Sequence, residues 1–178
     1  MSKHSDIYWI QVLTITSTPN LIERLGPWIP WRQKDKNGQT PLSALCRSYD
    51  HPEYREMVKL AIRVAQDHQQ DGAPLHLDEH IDNKGNTLLH IAGDPVILKL
   101  LLKCDSEVNA VNDRGFTPLM VASKYGRVDS VRTFFGDQRV DIAAKELRGL
   151  TAVELAKDDE VRNRIDGIPY LPKPLQSD

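Results

Sequence analysis

A glycine with a threonine two residues behind it recurs four times along this chain, and that recurrence constrains the fold more than any other feature. The four centres are Gly38-Gln39-Thr40, Gly85-Asn86-Thr87, Gly115-Phe116-Thr117 and Gly149-Leu150-Thr151. Their glycines, Gly38, Gly85, Gly115 and Gly149, lie 47, 30 and 34 residues apart. The residues behind the centres correspond as well. Ala122, Gly126, Val131, Phe134 and Phe135 follow Thr117, while Ile91, Ala92, Ile97, Leu98, Leu101 and Leu102 follow Thr87.

Each unit has a local physical logic. A short polar run opening on Asp35, Asp82, Asn112 or Glu146 and closing on glycine is a turn, with the glycine free to take positive φ. Thr40 and Thr117 are placed to cap helices, and Pro41 and Pro118 then fill the first helical position, where no amide hydrogen is missed. The spacing predicts one helix over Pro118–Lys124, a break at Gly126, and a second helix over Val128–Phe135 that buries Val128, Val131, Phe134 and Phe135. A turn and helix pair of this size cannot bury its own apolar face. Neighbouring units must therefore stack on it, which makes a one-dimensional array.

These residues carry a resemblance. A turn ending in Gly-x-Thr-Pro-Leu, a helix pair and a repeat of about 33 residues are the ankyrin signature. Thr87-Leu88-Leu89-His90-Ile91-Ala92 is similar to the family's Thr-Pro-Leu-His-x-Ala without its proline, and Val108-Asn109-Ala110 resembles the link between repeats. The resemblance implies an all-α fold, an ankyrin solenoid of helix–turn–helix units with short β-turn fingers, and a structural role for His90. Repeats are expected at 35–66, 82–111, 112–145 and, as a truncated cap, 146–165.

The departures from the pattern are informative. About four extra residues, 49–52, lie between the helices of the first repeat, and a polar insertion spans 67–81. Gly93-Asp94-Pro95 shortens the second, with Asp94 a cap and Pro95 a first helical residue. Val161 and Ile165 pair on a last helix whose Asp158, Asp159, Arg162 and Arg164 suit a water-facing cap. Residues 1–34 are expected to form a degenerate amino-terminal cap. Ile7, Ile10 and Leu13 would make one apolar face, and Thr18-Pro19 would open a helix carrying Leu21, Ile22 and Leu25 that Gly26-Pro27 ends. Ile29 and at least one of Trp28 and Trp31 should pack beneath the first turn; an exposed tryptophan is the alternative, as a partner anchor. Residues 166–178, with Pro169, Pro172 and Pro174, read as a flexible tail.

Composition sets the function classes. With 23 Lys+Arg against 25 Asp+Glu, the formal net charge of -2 lacks the basic excess of a nucleic-acid binder. Cys46 and Cys104 make no disulfide framework, no apolar run spans a bilayer, and the start does not read as a signal peptide; a soluble, cytoplasmic monomer is expected. Cys46 and His51 are the one pair a cryptic enzyme could use, but nothing in the sequence supplies the base and orienting group a nucleophile needs. His68, His76 and His80, among Asp67, Asp71, Asp78 and Glu79, follow no tight ligand spacing. No phosphate loop is present, because the glycines stand one per repeat. The chain is therefore expected to be a non-enzyme without cofactor or metal.

What remains is a surface. The residue before each repeat glycine is Asn37, Lys84, Arg114 or Arg148, and stacking would align them in a column about 10 Å apart. Such a column would steer an acidic peptide, although Asp35, Asp82, Asp113 and Glu146 offset much of its charge. Lys124 and Tyr125 fall near the concave positions that vary within the family and are further contact candidates.

Three stretches, residues 40–52, 116–129 and 147–159, also resemble one group of fungal endosomal proteins. In those, an ankyrin array follows a Rab guanine-nucleotide-exchange domain and precedes a phosphoinositide-binding-like domain. That resemblance implies a Rab-type GTPase or vesicle-trafficking partner and a peripheral place at endosomes. A fragment, a truncated paralogue and a free-standing adaptor all fit, as does an ankyrin adaptor in transcription or ubiquitin transfer.

Overall fold

Side-chain caps set where several helices of this chain begin. In the computed structural model, residues 19–47, 51–67, 81–104 and 107–166 are described. They form α1 (Pro19–Leu25), a 3-10 turn (Gly26–Trp28), α2 (Pro41–Leu45), α3 (Tyr54–Asp67), α4 (Leu88–Ile91), α5 (Pro95–Lys103), α6 (Pro118–Lys124), α7 (Val128–Phe135) and α8 (Asp159–Asp166). No strand occurs among the described residues. Thr40 Oγ1 accepts from Ser43 N at 3.2 Å while Thr40 N donates to Ser43 Oγ at 3.0 Å, a closed capping box ahead of Pro41. Thr117 Oγ1 caps α6 through Met120 N at 3.3 Å. Asp94 caps α5 through the amides of Val96 and Ile97, at 2.8 and 3.2 Å, with Pro95 in the first turn.

The turns between units repeat one arrangement. Asp82 Oδ1 accepts from the amides of Lys84 and Asn86 at 2.9 and 3.0 Å, and Asn112 Oδ1 from Arg114 and Phe116 at 3.0 and 3.1 Å. Glu146, one methylene longer, makes the same pair to Arg148 and Leu150 at 3.0 and 3.3 Å. Gly85 closes its turn at φ 68°, and a β-carbon there would stand 3.0 Å from Asp113 N in the next finger. Glycine is required twice over, for the left-handed backbone and for the approach that lets Asp113 N donate to Lys84 O at 3.1 Å.

Stacking follows the order of the chain. α1 and α2 each pack on α3, α3 on α5, α4 on α6, α5 on α7, and α7 on α8. Every substantial helix pair thus lies within one unit or between adjacent units, and a single apolar core runs from Ile22 and Ile29 through Leu98 and Leu101 to Val161 and Ile165. Hydrogen bonds also cross the junction between the second and third units. Ser130 Oγ donates to Gly93 O at 3.1 Å, and Arg139 Nη2 to Leu102 O at 2.6 Å. The all-α ankyrin architecture expected from the repeats is the one observed.

Three details differ along the array. α4 is a single turn, because Gly93 and the extended Asp94 ahead of Pro95 stop it. In the fourth unit, residues 152–155 form a turn and no helix; Ala152 stands where Pro41 and Pro118 preset the earlier helices. The two tryptophans divide. Trp31 is buried and donates from Nε1 to Gly26 O at 3.0 Å, while Trp28 is 74% exposed. Expectations for Ile7, Ile10, Leu13, Thr18, Tyr49, the histidines 68, 76 and 80, the side chain of Arg164, and the prolines 169, 172 and 174 lie outside the described residues.

Candidate functional site

The second and third fingers and the end of α6 enclose a groove of about 500 Å³. Lys84 and Arg114 reach it from the fingertips, and Lys124 and Tyr125 from the C-terminus of α6. Four of the five contact candidates in the sequence therefore meet in one place. Arg148 does not line this groove; its Nε lies 3.4 Å from Glu146 Oε2 on its own finger. The first three turns stack in a row, with Asn83 N donating to Asn37 O at 3.3 Å and Asp113 N to Lys84 O at 3.1 Å.

Two further cations line the groove, Arg47 and Arg127, and sequence reasoning did not single them out. Arg47 had a signal. It stands seven residues behind Thr40, as Lys124 stands behind Thr117, so repeat register places both at the end of a first helix. Arg47 Nη2 pairs with Asp82 Oδ2 at 3.1 Å. Arg127 lies over the Tyr125 ring at 5.6 Å and donates from Nη1 to His90 O at 3.3 Å. Lys124 Nζ sits 4.8 Å above the Phe116 ring, a cation–π contact.

The carboxylate of Asp82 stays ionised at neutral pH. Partial burial pushes it up, but the Asn86 side chain, the amides of Asn86 and Lys84 and the Arg47 charge together hold it below the usual range. Behind the groove, Asn112 Nδ2 donates to Asn86 Oδ1 at 2.9 Å, joining the two fingers. His90, buried beneath them, takes the Thr87 amide on Nδ1 at 3.0 Å, which leaves Nε2 to donate to Phe116 O of the next unit at 2.8 Å. This ring is a structural bolt between units.

Cys46 and His51 do not make a reactive pair. Cys46 is wholly buried at the end of α2, and burial pushes its thiol up to about 12 against the lowering effect of Arg47. A thiol held in that form is a poor nucleophile at neutral pH. His51 Nδ1 accepts instead from the Glu53 amide at 3.2 Å. Among the described residues, no three metal-ligating side chains come together.

Comparison with known families agrees with this geometry. The family model described as "Ankyrin repeats (many copies)" matches residues 100–156, and that described as "Ankyrin repeat" matches residues 84–113. The chain carries ankyrin repeats, a class of protein-interaction module. It is similar to UPF0507 proteins of fungi. One from Yarrowia lipolytica is 37% identical over 149 residues, covering 82% of this chain and 14% of its own length. One from Saccharomyces cerevisiae S288c is 36% identical over 155 residues, covering 85% of this chain and 21% of its own. A third, from Kluyveromyces lactis, is 36% identical over 161 residues, with 88% and 15% covered. The chain thus spans between a seventh and about a fifth of the length of these relatives. Among the described residues, no helix is long and apolar enough to cross a membrane.

Proposed function

We propose that this chain is a non-enzymatic docking module that captures a protein partner on its finger and groove face. The observation that carries the reading is the groove itself. It gathers Lys84, Arg114, Lys124 and the 60%-exposed Tyr125 on a wall whose fingers are tied by hydrogen bonds across the units. A partner meets side chains already in place, so little ordering opposes binding. Arg148 is the outlying member of the same face, at the next fingertip.

The finer setting we propose is endosomal or vesicle trafficking, with the chain acting as the ankyrin part of a Rab-exchange-factor-like protein, cytoplasmic and peripheral at endosomes. The resemblance of residues 40–52, 116–129 and 147–159 to fungal endosomal multidomain proteins supports it. So do fungal relatives several times longer than the chain, which leave room for partner domains. The division into a cap at 1–34, repeats to 165 and a tail from 166, and the monomeric state, belong to the same proposal.

Affinity purification from the native source tests both levels. Recovery of Rab-type GTPases or vesicle-coat components is expected; chromatin or ubiquitin-ligase subunits in their place would replace the trafficking setting. A variant with Lys84→Glu, Arg114→Glu and Tyr125→Ala should melt within about 2 °C of the parent, since the changes are exposed. It should also lose the captured protein. Undiminished capture would remove the groove face from the account.

A further inference from the structure

We infer that the groove takes an extended acidic polypeptide segment, one that sets carboxylates against Lys84, Arg114 and Lys124 and an apolar side chain on Tyr125. The inference rests on the reading of the chain as a protein-docking module and names the chemistry of what docks.

Charge makes the first argument. Five cationic side chains line the groove against two carboxylates, Asp82 and Asp113, on a chain whose formal net charge is -2. The positive field is therefore local. Of the five, Arg47 is neutralised by Asp82, and Arg127 is held against the Tyr125 ring and the His90 carbonyl. Lys84, Arg114 and Lys124 have no carboxylate within ion-pair distance among the described residues. These three are the charges an incoming carboxylate can engage without first displacing another carboxylate or a carbonyl.

Shape makes the second. Lys84 and Arg114 occupy equivalent places on consecutive fingers, and adjacent packed units are about 8–10 Å apart. An extended chain of polyproline II form advances about 3.1 Å per residue with three residues per turn, so acids three positions apart share a face about 9 Å apart and reach both cations. A helix would cover the same span in about six residues and would place those acids on different faces. The wall between is not purely polar. The exposed Tyr125 ring, the Phe116 ring below Lys124, and Val121 supply an apolar floor for one side chain between the acids. A flat lipid surface meets neither a concave floor nor the acidic remainder of the chain on equal terms, so a polypeptide is the occupant to which the inference commits.

The test is fluorescence anisotropy with the full chain and a labelled eight-residue peptide that alternates Asp and Glu about a central Phe. The control peptide carries Asn and Gln in place of the acids. The acidic peptide should bind at low salt, the amide peptide at least about tenfold more weakly, and about 1 M NaCl should abolish most of the difference. Arg114→Gln and Arg148→Gln make a matched pair on neighbouring fingers. The first should weaken binding about fivefold, and the second less than about twofold.

Equal binding of the two peptides, or an equal loss at Arg148, would overturn the inference. So would tighter association with phosphatidylserine vesicles than with the peptide. If the peptide fails to bind while the groove variant above still loses its native partner, the acidic occupant is wrong and the docking module stands. Failure of both would remove both.

Discussion

Leu101→Ala should lower the free energy of unfolding by about 2–5 kcal/mol, a large share of the roughly 5–15 kcal/mol that holds a domain together. Leu101 is fully buried on α5, and α5 is the helix that packs on α3 behind it and on α7 ahead. Removing its side chain opens a cavity at the centre of the array, where two junctions share one wall. Val96 sits on the same helix but stays 38% exposed, so Val96→Ala should cost less than about 1 kcal/mol. Urea unfolding followed by circular dichroism measures both. Equal losses at the two positions, or none at Leu101, would mean that burial along α5 is not what holds the units together.

His90→Ala should be of similar size, about 3 kcal/mol, for a different reason. The ring is buried and bonded at both nitrogens, to Thr87 within its unit and to Phe116 O in the next. Alanine leaves the Thr87 amide and the Phe116 carbonyl without these partners and a cavity where the ring stood. Phe116 also carries the ring under Lys124, so the substitution should loosen the groove wall as well. His90→Leu separates the two effects, because it restores volume and not hydrogen bonding. It should recover only part of the loss. A variant with leucine as stable as the parent would show that the ring acts by packing alone.

The sequence made the array legible because each unit announces itself locally. Thr117 with Pro118, and Asp94 with Pro95, mark helix starts through caps that operate within four residues, and the structure places α6 and α5 at those two starts. Exposure was harder to read. Trp28 and Trp31 are three residues apart and alike in chemistry, yet only Trp31 turns inward, to the Gly26 carbonyl. The groove was half legible for the same reason. Fingertip residues could be counted from the repeat, whereas where the concavity closes depends on long-range packing. Arg148 falls outside it, and Arg47 enters it from a helix end 37 residues before Lys84. Arg127 follows Gly126 in a turn, and only its contacts with His90 and Tyr125 bring it to the groove.

The central claim is that the described residues are held by contacts within and between successive units, which is what leaves one face open and preformed. Methyl-to-methyl nuclear Overhauser contacts in the isotope-labelled full chain report that directly. Cross-peaks are expected between α3 and α5 and between α5 and α7, with none joining the methyls of Val58 and Ile62 on α3 to those of Val161 and Ile165 on α8. Cross-peaks between α3 and α8 would contradict the account, because the two ends of the array would then be folded against each other.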